Sequence, residues 1–127
     1  MFSPTLLITD DDVAFRETLR DVLEPEGFRT VLAEDGMEAF EIVRSEPVHL
    51  ALLDMHMPRI DGVETIRLVH KLKPELPCIL LSAALDEMIV RAAKEVFAFS
   101  ILAKPCSRQQ ITSIVRQALR STYTRDV

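Results

Sequence analysis

The chain has 127 residues, is 48% hydrophobic and 28% charged, and carries a formal net charge of −5 at pH 7. That length fits one domain with a sizeable core, and the acidic balance argues against direct nucleic-acid binding, which needs a basic footprint. No apolar run nears the ~20 residues of a membrane span, the start MFSPT lacks the basic and apolar regions of a signal peptide, and Cys78 and Cys106 stand far apart with no CxxC, which fits a reducing, cytoplasmic setting.

Five short apolar runs alternate with five amphipathic stretches. The pattern predicts a first strand over residues 5–9. Phe15, Leu19, Val22 and Leu23 then line one stripe of a helix that Pro25 and Gly27 close. A second strand is expected over 28–33, and a third over 48–53 after another amphipathic stretch. Asp61 and Gly62 read as turn chemistry leading into a helix marked by Val63, Ile66 and Val69. Pro74 and Pro77 punctuate the link to a fourth strand at 78–82. A helix around 86–94 and a fifth strand over 99–103 follow. Ile111, Ile114, Val115, Ala118 and Leu119 give the final helix its surface-helix spacing. The end of the chain, STYTRDV, reads as a fraying tail, so the expected domain spans 1–121 with 122–127 as tail or start of a linker.

The third and fourth runs, VHLALL and CILLS, are nearly continuous in apolar residues, as strands covered on both faces are. Strand–helix alternation repeated five times predicts an α/β fold with a parallel sheet and helices on both sides. In such sheets ligands sit beyond the carboxyl ends of the strands, where the strand order reverses. Asp10 and Asp11 end the first run and Asp54 ends the third, in LALLDMHMPRIDG. Carboxylates about 4 Å apart repel by roughly 4 kcal/mol at an effective dielectric of about 20. A hard divalent cation such as Mg²⁺ offsets that repulsion and commonly joins carboxylates to a phosphate. Phosphoryl transfer asks mainly for in-line positioning and charge neutralisation, and an aspartate can be the covalent nucleophile. Ser82 closes the fourth run with a hydroxyl, and Lys104, before Pro105, closes the fifth with a compact positive charge. Asp12 directly precedes the helix VAFRETLRDVL and is better read as its N-cap.

With TDDD after the first strand, LLDMHMPRIDG at the third, LSA at the fourth and AKP at the fifth, the sequence resembles a chemotaxis-regulator-like receiver domain of two-component response regulators. The resemblance covers nearly the whole chain. It implies a flavodoxin-like, doubly wound (βα)5 fold with a five-stranded parallel sheet of order 2-1-3-4-5. It also implies that Asp54 accepts a phosphoryl group from a histidine kinase or phosphotransfer protein. Asp11 and Asp54 are implied as direct Mg²⁺ (or Mn²⁺) ligands, Asp10 through water, and His56 through its backbone carbonyl. Ser82 matches the switch hydroxyl and Lys104 the lysine that pairs with the phosphoryl group. The side chains of His56, His49 and His70 are expected to be structural or to face solvent, and Met55 and Met57 to pack beside the loop.

Two positions depart from that family's pattern. The residue three before the lysine, usually aromatic, is Ile101, and the glycine that usually precedes the fifth strand is Phe97. Isoleucine has no hydroxyl to exchange, so output is expected to depend on apolar packing, with Phe97 and Phe99 thickening the surface near the fourth helix. In the family that surface, formed by helix 4, strand 5 and helix 5, serves dimers and targets, so a homodimer through it is one arrangement implied. His56 and Ala84 occupy the positions that tune the phosphoryl lifetime. The output domain or target stays open, as does whether the chain stands alone or begins a longer regulator. Two other functions compete. One is a haloacid-dehalogenase-like phosphatase with Asp10 as nucleophile in a DxD motif. The other is a docking module that is never phosphorylated. A flavin-binding relative fits worse, because the loop after the first strand carries carboxylates where phosphate-cradling glycines and hydroxyls are needed.

Overall fold

The computed structural model describes residues 3–123. Five strands alternate with five helices: β1 (Thr5–Thr9), α1 (Val13–Leu23), β2 (Arg29–Ala33), α2 (Gly36–Ser45), β3 (Leu50–Asp54), α3 (Gly62–Leu72), β4 (Cys78–Ser82), α4 (Glu87–Glu95), β5 (Ser100–Ala103) and α5 (Arg108–Tyr123). The strands pair in parallel in the order β2-β1-β3-β4-β5, the arrangement expected. From β1 the chain crosses to β2 on one side and then to β3 on the other. The switch point therefore lies between the carboxyl ends of β1 and β3.

Alternate strand residues feed two cores. Leu7, Ala51, Leu53 and Leu80 pack with Ala39 and Val43 of α2, Ile66 and Val69 of α3, and Ile89 and Ala93 of α4. Leu6, Ile8, Leu52 and Leu81 pack on the opposite face with Leu19 and Leu23 of α1 and Ile111 and Val115 of α5. All five residues of β3 and of β4 are buried, which explains why those runs lack polar alternation.

Four helices begin on an aspartate cap. Asp12 accepts from the amides of Ala14 and Phe15, Asp35 from Glu38, and Asp86 from Ile89. Asp61 and Glu64 form a reciprocal capping box at α3. At the other end of the chain, α5 runs past the expected boundary at 121 as far as Tyr123. The Tyr123 hydroxyl donates to the His49 carbonyl at 2.7 Å, and its ring meets the His49 ring edge-on, so this last turn has tertiary partners that the polar tail sequence does not suggest. The rest of the expected tail, 124–127, lies outside the described residues.

Phe97, at the expected glycine position, has φ +61° and is 82% exposed. It follows the C-cap of α4, where a left-handed residue closes the helix. For an L-residue that conformation costs about 1–2 kcal/mol, against about 0.5–1 kcal/mol of extra chain entropy lost by glycine. Phe97→Gly is therefore expected to stabilise the fold by up to about 1 kcal/mol, read as a rise of about 3 °C in melting temperature. A fall in melting temperature would show that the exposed ring packs in solution. Phe99 precedes β5 and packs on the α1–α5 core, while also lining a cleft with Val90, Ala93 and Lys94 of α4. Ile101 is half-buried against the α2–α3–α4 core.

Candidate functional site

β1, β3 and β5 deliver their polar ends to one place. Asp10 follows β1 and is buried, Asp54 ends β3 and is buried, and Asp11 is exposed. A carboxylate oxygen from each of the three lies within 4.8 Å of the others. Lys104 follows β5, and its Nζ donates to Asp10 Oδ2 at 2.9 Å and to Asp54 Oδ1 at 3.2 Å. The ladder carries these residues into position. The Lys104 amide bonds the Ser82 carbonyl at 2.8 Å, and the Met55 amide bonds the Leu81 carbonyl at 2.8 Å. The Lys104–Pro105 peptide is cis.

Asp10 is fixed by backbone partners as well. Its Oδ1 accepts from the Asp12 amide at 2.9 Å, and its carbonyl accepts from the Arg16 guanidinium at 2.6 Å. The Asp12 carboxylate caps α1, so the run of three acids does divide into two near the site and one cap. On the β3 side, Gly62 is pressed close: a Cβ there would come within 2.6 Å of the Asp54 carbonyl and 2.5 Å of a Leu80 methyl. The Gly62 amide also donates to the Met55 carbonyl at 2.9 Å, so the loop from Asp54 closes tightly onto the start of α3. Arg59, at φ +71°, ties the same loop to Asp35 at the start of α2 through an ion pair.

Electrostatics follow from this packing. Burial first, then the Asp10 charge, pushes the Asp54 carboxyl above its usual range, against the opposing hydrogen bond and charge of Lys104. Burial also disfavours the Lys104 ammonium, but the hydrogen bonds and charges of Asp10 and Asp54 outweigh it and hold Lys104 above its ordinary value. The three acids supply hard oxygen donors open to solvent on the Asp11 side, a donor set that suits Mg²⁺.

Ser82 ends β4 and is buried, but its hydroxyl donates to the Ala84 carbonyl at 2.8 Å and accepts from the Ala84 amide at 3.2 Å. The local turn, and not the carboxylate cluster, holds it here. The His56 side chain is exposed, two residues past Asp54. His49 accepts from the Thr5 amide at 2.9 Å and His70 contacts the Val96 and Leu76 carbonyls, the structural roles expected of them. Sequence reading missed Arg16, Arg59 and the stacking of Phe15 on Lys104 as neighbours of the site. Arg59 and Phe15 have partners distant in the chain, and Arg16 reaches back from the first turn of α1 to the Asp10 carbonyl, so no residue pattern marks them. A cleft lined by Val48, Lys73, Pro74, Glu75, Leu76 and Tyr123 lies at the opposite, amino-terminal edge of the sheet and carries none of these groups.

Known proteins resemble this chain in sequence and in fold. Residues 6–116 match the family model of the response regulator receiver domain. The response regulator MprA of Mycobacterium ulcerans is 36% identical over 125 residues, 98% of this chain and 53% of that protein. The response regulator RR06 of Streptococcus pneumoniae is 31% identical over 118 residues, 93% of this chain and 54% of its own. The chain thus spans about half the length of the curated relatives it matches. A CheY-like receiver domain from Methanospirillum hungatei superposes with a TM-score of 0.93 at 24% identity, covering 97% of this chain and 98% of that one, which speaks for the fold. The signal receiver domain of an HD domain-containing protein from Pseudomonas fluorescens gives 0.91 at 26% identity, covering 98% and 92%. With its sheet order, its acidic cluster and this match over most of its length, the chain belongs to the response regulator receiver domain family.

Proposed function

We propose that the chain is a phosphoacceptor module that takes a phosphoryl group on Asp54 from a phosphohistidine of a histidine kinase or phosphotransfer protein. The single observation that carries this reading is the Lys104 ammonium bridging Asp10 and Asp54 beside Asp11 at the switch point of the sheet. An Asp54 carboxylate oxygen attacks phosphorus, the phosphorus–nitrogen bond breaks, and its electron pair stays on the imidazole. The product is an acyl phosphate on Asp54. Lys104, already on Asp54, then pairs with the phosphoryl oxygens. Ser82 joins it once its hydroxyl leaves Ala84.

Asp11, Asp54 and the His56 carbonyl would hold Mg²⁺ or Mn²⁺ in this reading, and Asp10 would act on it through water. When bound, the ion supplies charge neutralisation between carboxylate and phosphoryl oxygens. His56 and Ala84 set the phosphoryl lifetime. Ala84 offers attacking water no polar side-chain group, whereas His56, exposed beside Asp54, does.

The module signals and does not turn over a separate substrate. Its output runs through the face of α4, β5 and α5, with Ile101 and Phe97 on the path, to a further domain, a target or a second copy. Phe99 contributes from the α5 side. Among the described residues no helix is long and apolar enough to cross a membrane, in keeping with a cytoplasmic setting. The phosphatase alternative needs Asp12 at the site, yet Asp12 caps α1. The docking-only alternative leaves the convergence of the acids and Lys104 unexplained.

The test is incubation with acetyl phosphate and Mg²⁺ followed by intact-mass measurement. A single phosphoryl adduct that peptide mapping assigns to the segment holding Asp54 supports the reading. No adduct, or an adduct on Asp10 with turnover of phosphate esters, overturns it.

A further inference from the structure

We propose that Phe15 is a positioning residue for Lys104, its ring face serving as a neutral partner that keeps the ammonium aimed at Asp10 and Asp54. Only the consequence for phosphoryl binding rests on the phosphoacceptor reading above; the contact itself does not. Lys104 Nζ lies 4.1 Å from the centroid of the Phe15 ring while it bonds both carboxylates. An ammonium has three N–H donors. Two carboxylates occupy one side of it, and the ring covers another with the negative face of its quadrupole.

The placement of the ring is not independent of the acids. Asp12 Oδ1 accepts from the Phe15 amide at 3.3 Å, and the Asp12 amide donates to Asp10 Oδ1 at 2.9 Å. One turn therefore fixes both the buried carboxylate and the ring. The lysine stem is long and flexible, and a site that must hold its head needs something to restrict it. A carboxylate in place of the ring would draw the ammonium away from Asp54. A leucine would fill the same apolar stripe, beside the α1–α5 core on which Phe15 packs, but would attract nothing. An aromatic face attracts the cation without competing for its hydrogen bonds.

Phe15→Leu and Phe15→Tyr separate packing from attraction. With Mg²⁺ and beryllofluoride titrated into the full chain as a phosphoryl stand-in, Phe15→Leu is expected to bind roughly tenfold more weakly, equivalent to about 1.4 kcal/mol. Phe15→Tyr, which keeps the ring face, is expected to stay within about twofold of the parent. In a Lys104→Ala background the leucine substitution is expected to change affinity by less than about twofold, because the partner is gone. Equal binding by Phe15→Leu and the parent overturns the proposal, and so does a tenfold loss that persists without Lys104.

A second readout needs no phosphoryl chemistry. The Lys104 ε-methylene proton resonance is expected upfield, under the ring current, in the parent and in Phe15→Tyr, and unshifted in Phe15→Leu. An unshifted resonance in the parent overturns the contact. A shifted resonance in a parent that binds no beryllofluoride supports the contact and overturns the phosphoacceptor reading instead.

Discussion

Asp54→Ala is expected to abolish the acetyl-phosphate adduct completely, while Asp12→Ala retains it. The contrast follows from geometry. Asp54 is the buried carboxylate at the end of β3 that Lys104 touches, whereas Asp12 spends its oxygen on the amides of α1. Losing the cap costs about 0.5–2 kcal/mol of stability but removes no group from the site. Persistence of a full adduct in Asp54→Ala would sink the assignment. Asp54→Asn should lose the adduct equally and also change stability with a definite sign. Burial and the neighbouring Asp10 charge raise the Asp54 carboxyl above its usual value. A carboxyl raised on folding gives stability that is fully present below the unfolded value of about 3.9 and is lost as pH rises through the folded value. The ionised Asp54 is therefore a burden at neutral pH. The asparagine variant is expected to be more resistant to urea than the parent at pH 7, with the gap closing as pH falls toward 4. A destabilised Asp54→Asn at pH 7 would contradict the electrostatics.

Lys104→Ala is expected to slow adduct formation by about a hundredfold or more, the usual consequence of removing a preorganised charge from a reacting centre. The same change leaves Asp10 buried without its cation. Breaking a fully buried pair costs about 3–5 kcal/mol; because the Lys104 side chain is 20% exposed, a loss of about 1–2 kcal/mol is the better figure here. Lys104 is held above its ordinary value, so its charge and the stability it gives are fully present at pH 7 and disappear only as pH rises through the folded value. Mg²⁺ bound at the proposed site would replace part of the missing positive charge, and ligand saturation at about a hundred times the dissociation constant adds about 2.7 kcal/mol. The urea midpoint of Lys104→Ala should therefore climb more steeply with Mg²⁺ than that of the parent. Time courses of intact mass and urea titrations with and without Mg²⁺ check both halves. An adduct forming at the parental rate, or no response of the midpoint to Mg²⁺ in either protein, would count against the site as described.

The alternation of strands and helices, the double-sided burial of β3 and β4, and the polar groups at the strand ends were all legible in the residue order. Those features are local: apolar runs, turn residues and caps act over a few neighbours, so Asp12, Asp61 and Asp86 declare helix starts within a single turn. The residue order also told Asp12 apart from Asp10 and Asp11, because an N-cap has a fixed position relative to its helix. What those ends touch depends on contacts that form only in the folded chain. Lys104 meets Asp10 across 94 residues and Asp54 across 50, and the Phe15 ring meets Lys104 because the lysine side chain reaches from the end of β5 to Asp10, just before α1. Ser82 shows the limit from the other side: its position at the end of β4 was legible, but its hydroxyl follows the Ala84 turn. Tyr123 sits in a polar tail by composition, yet its bond to His49 keeps it helical. Strand ends are written in short-range chemistry, whereas the direction of a side chain is settled by partners far away in the chain, whose attraction exists only once the backbone has closed around them.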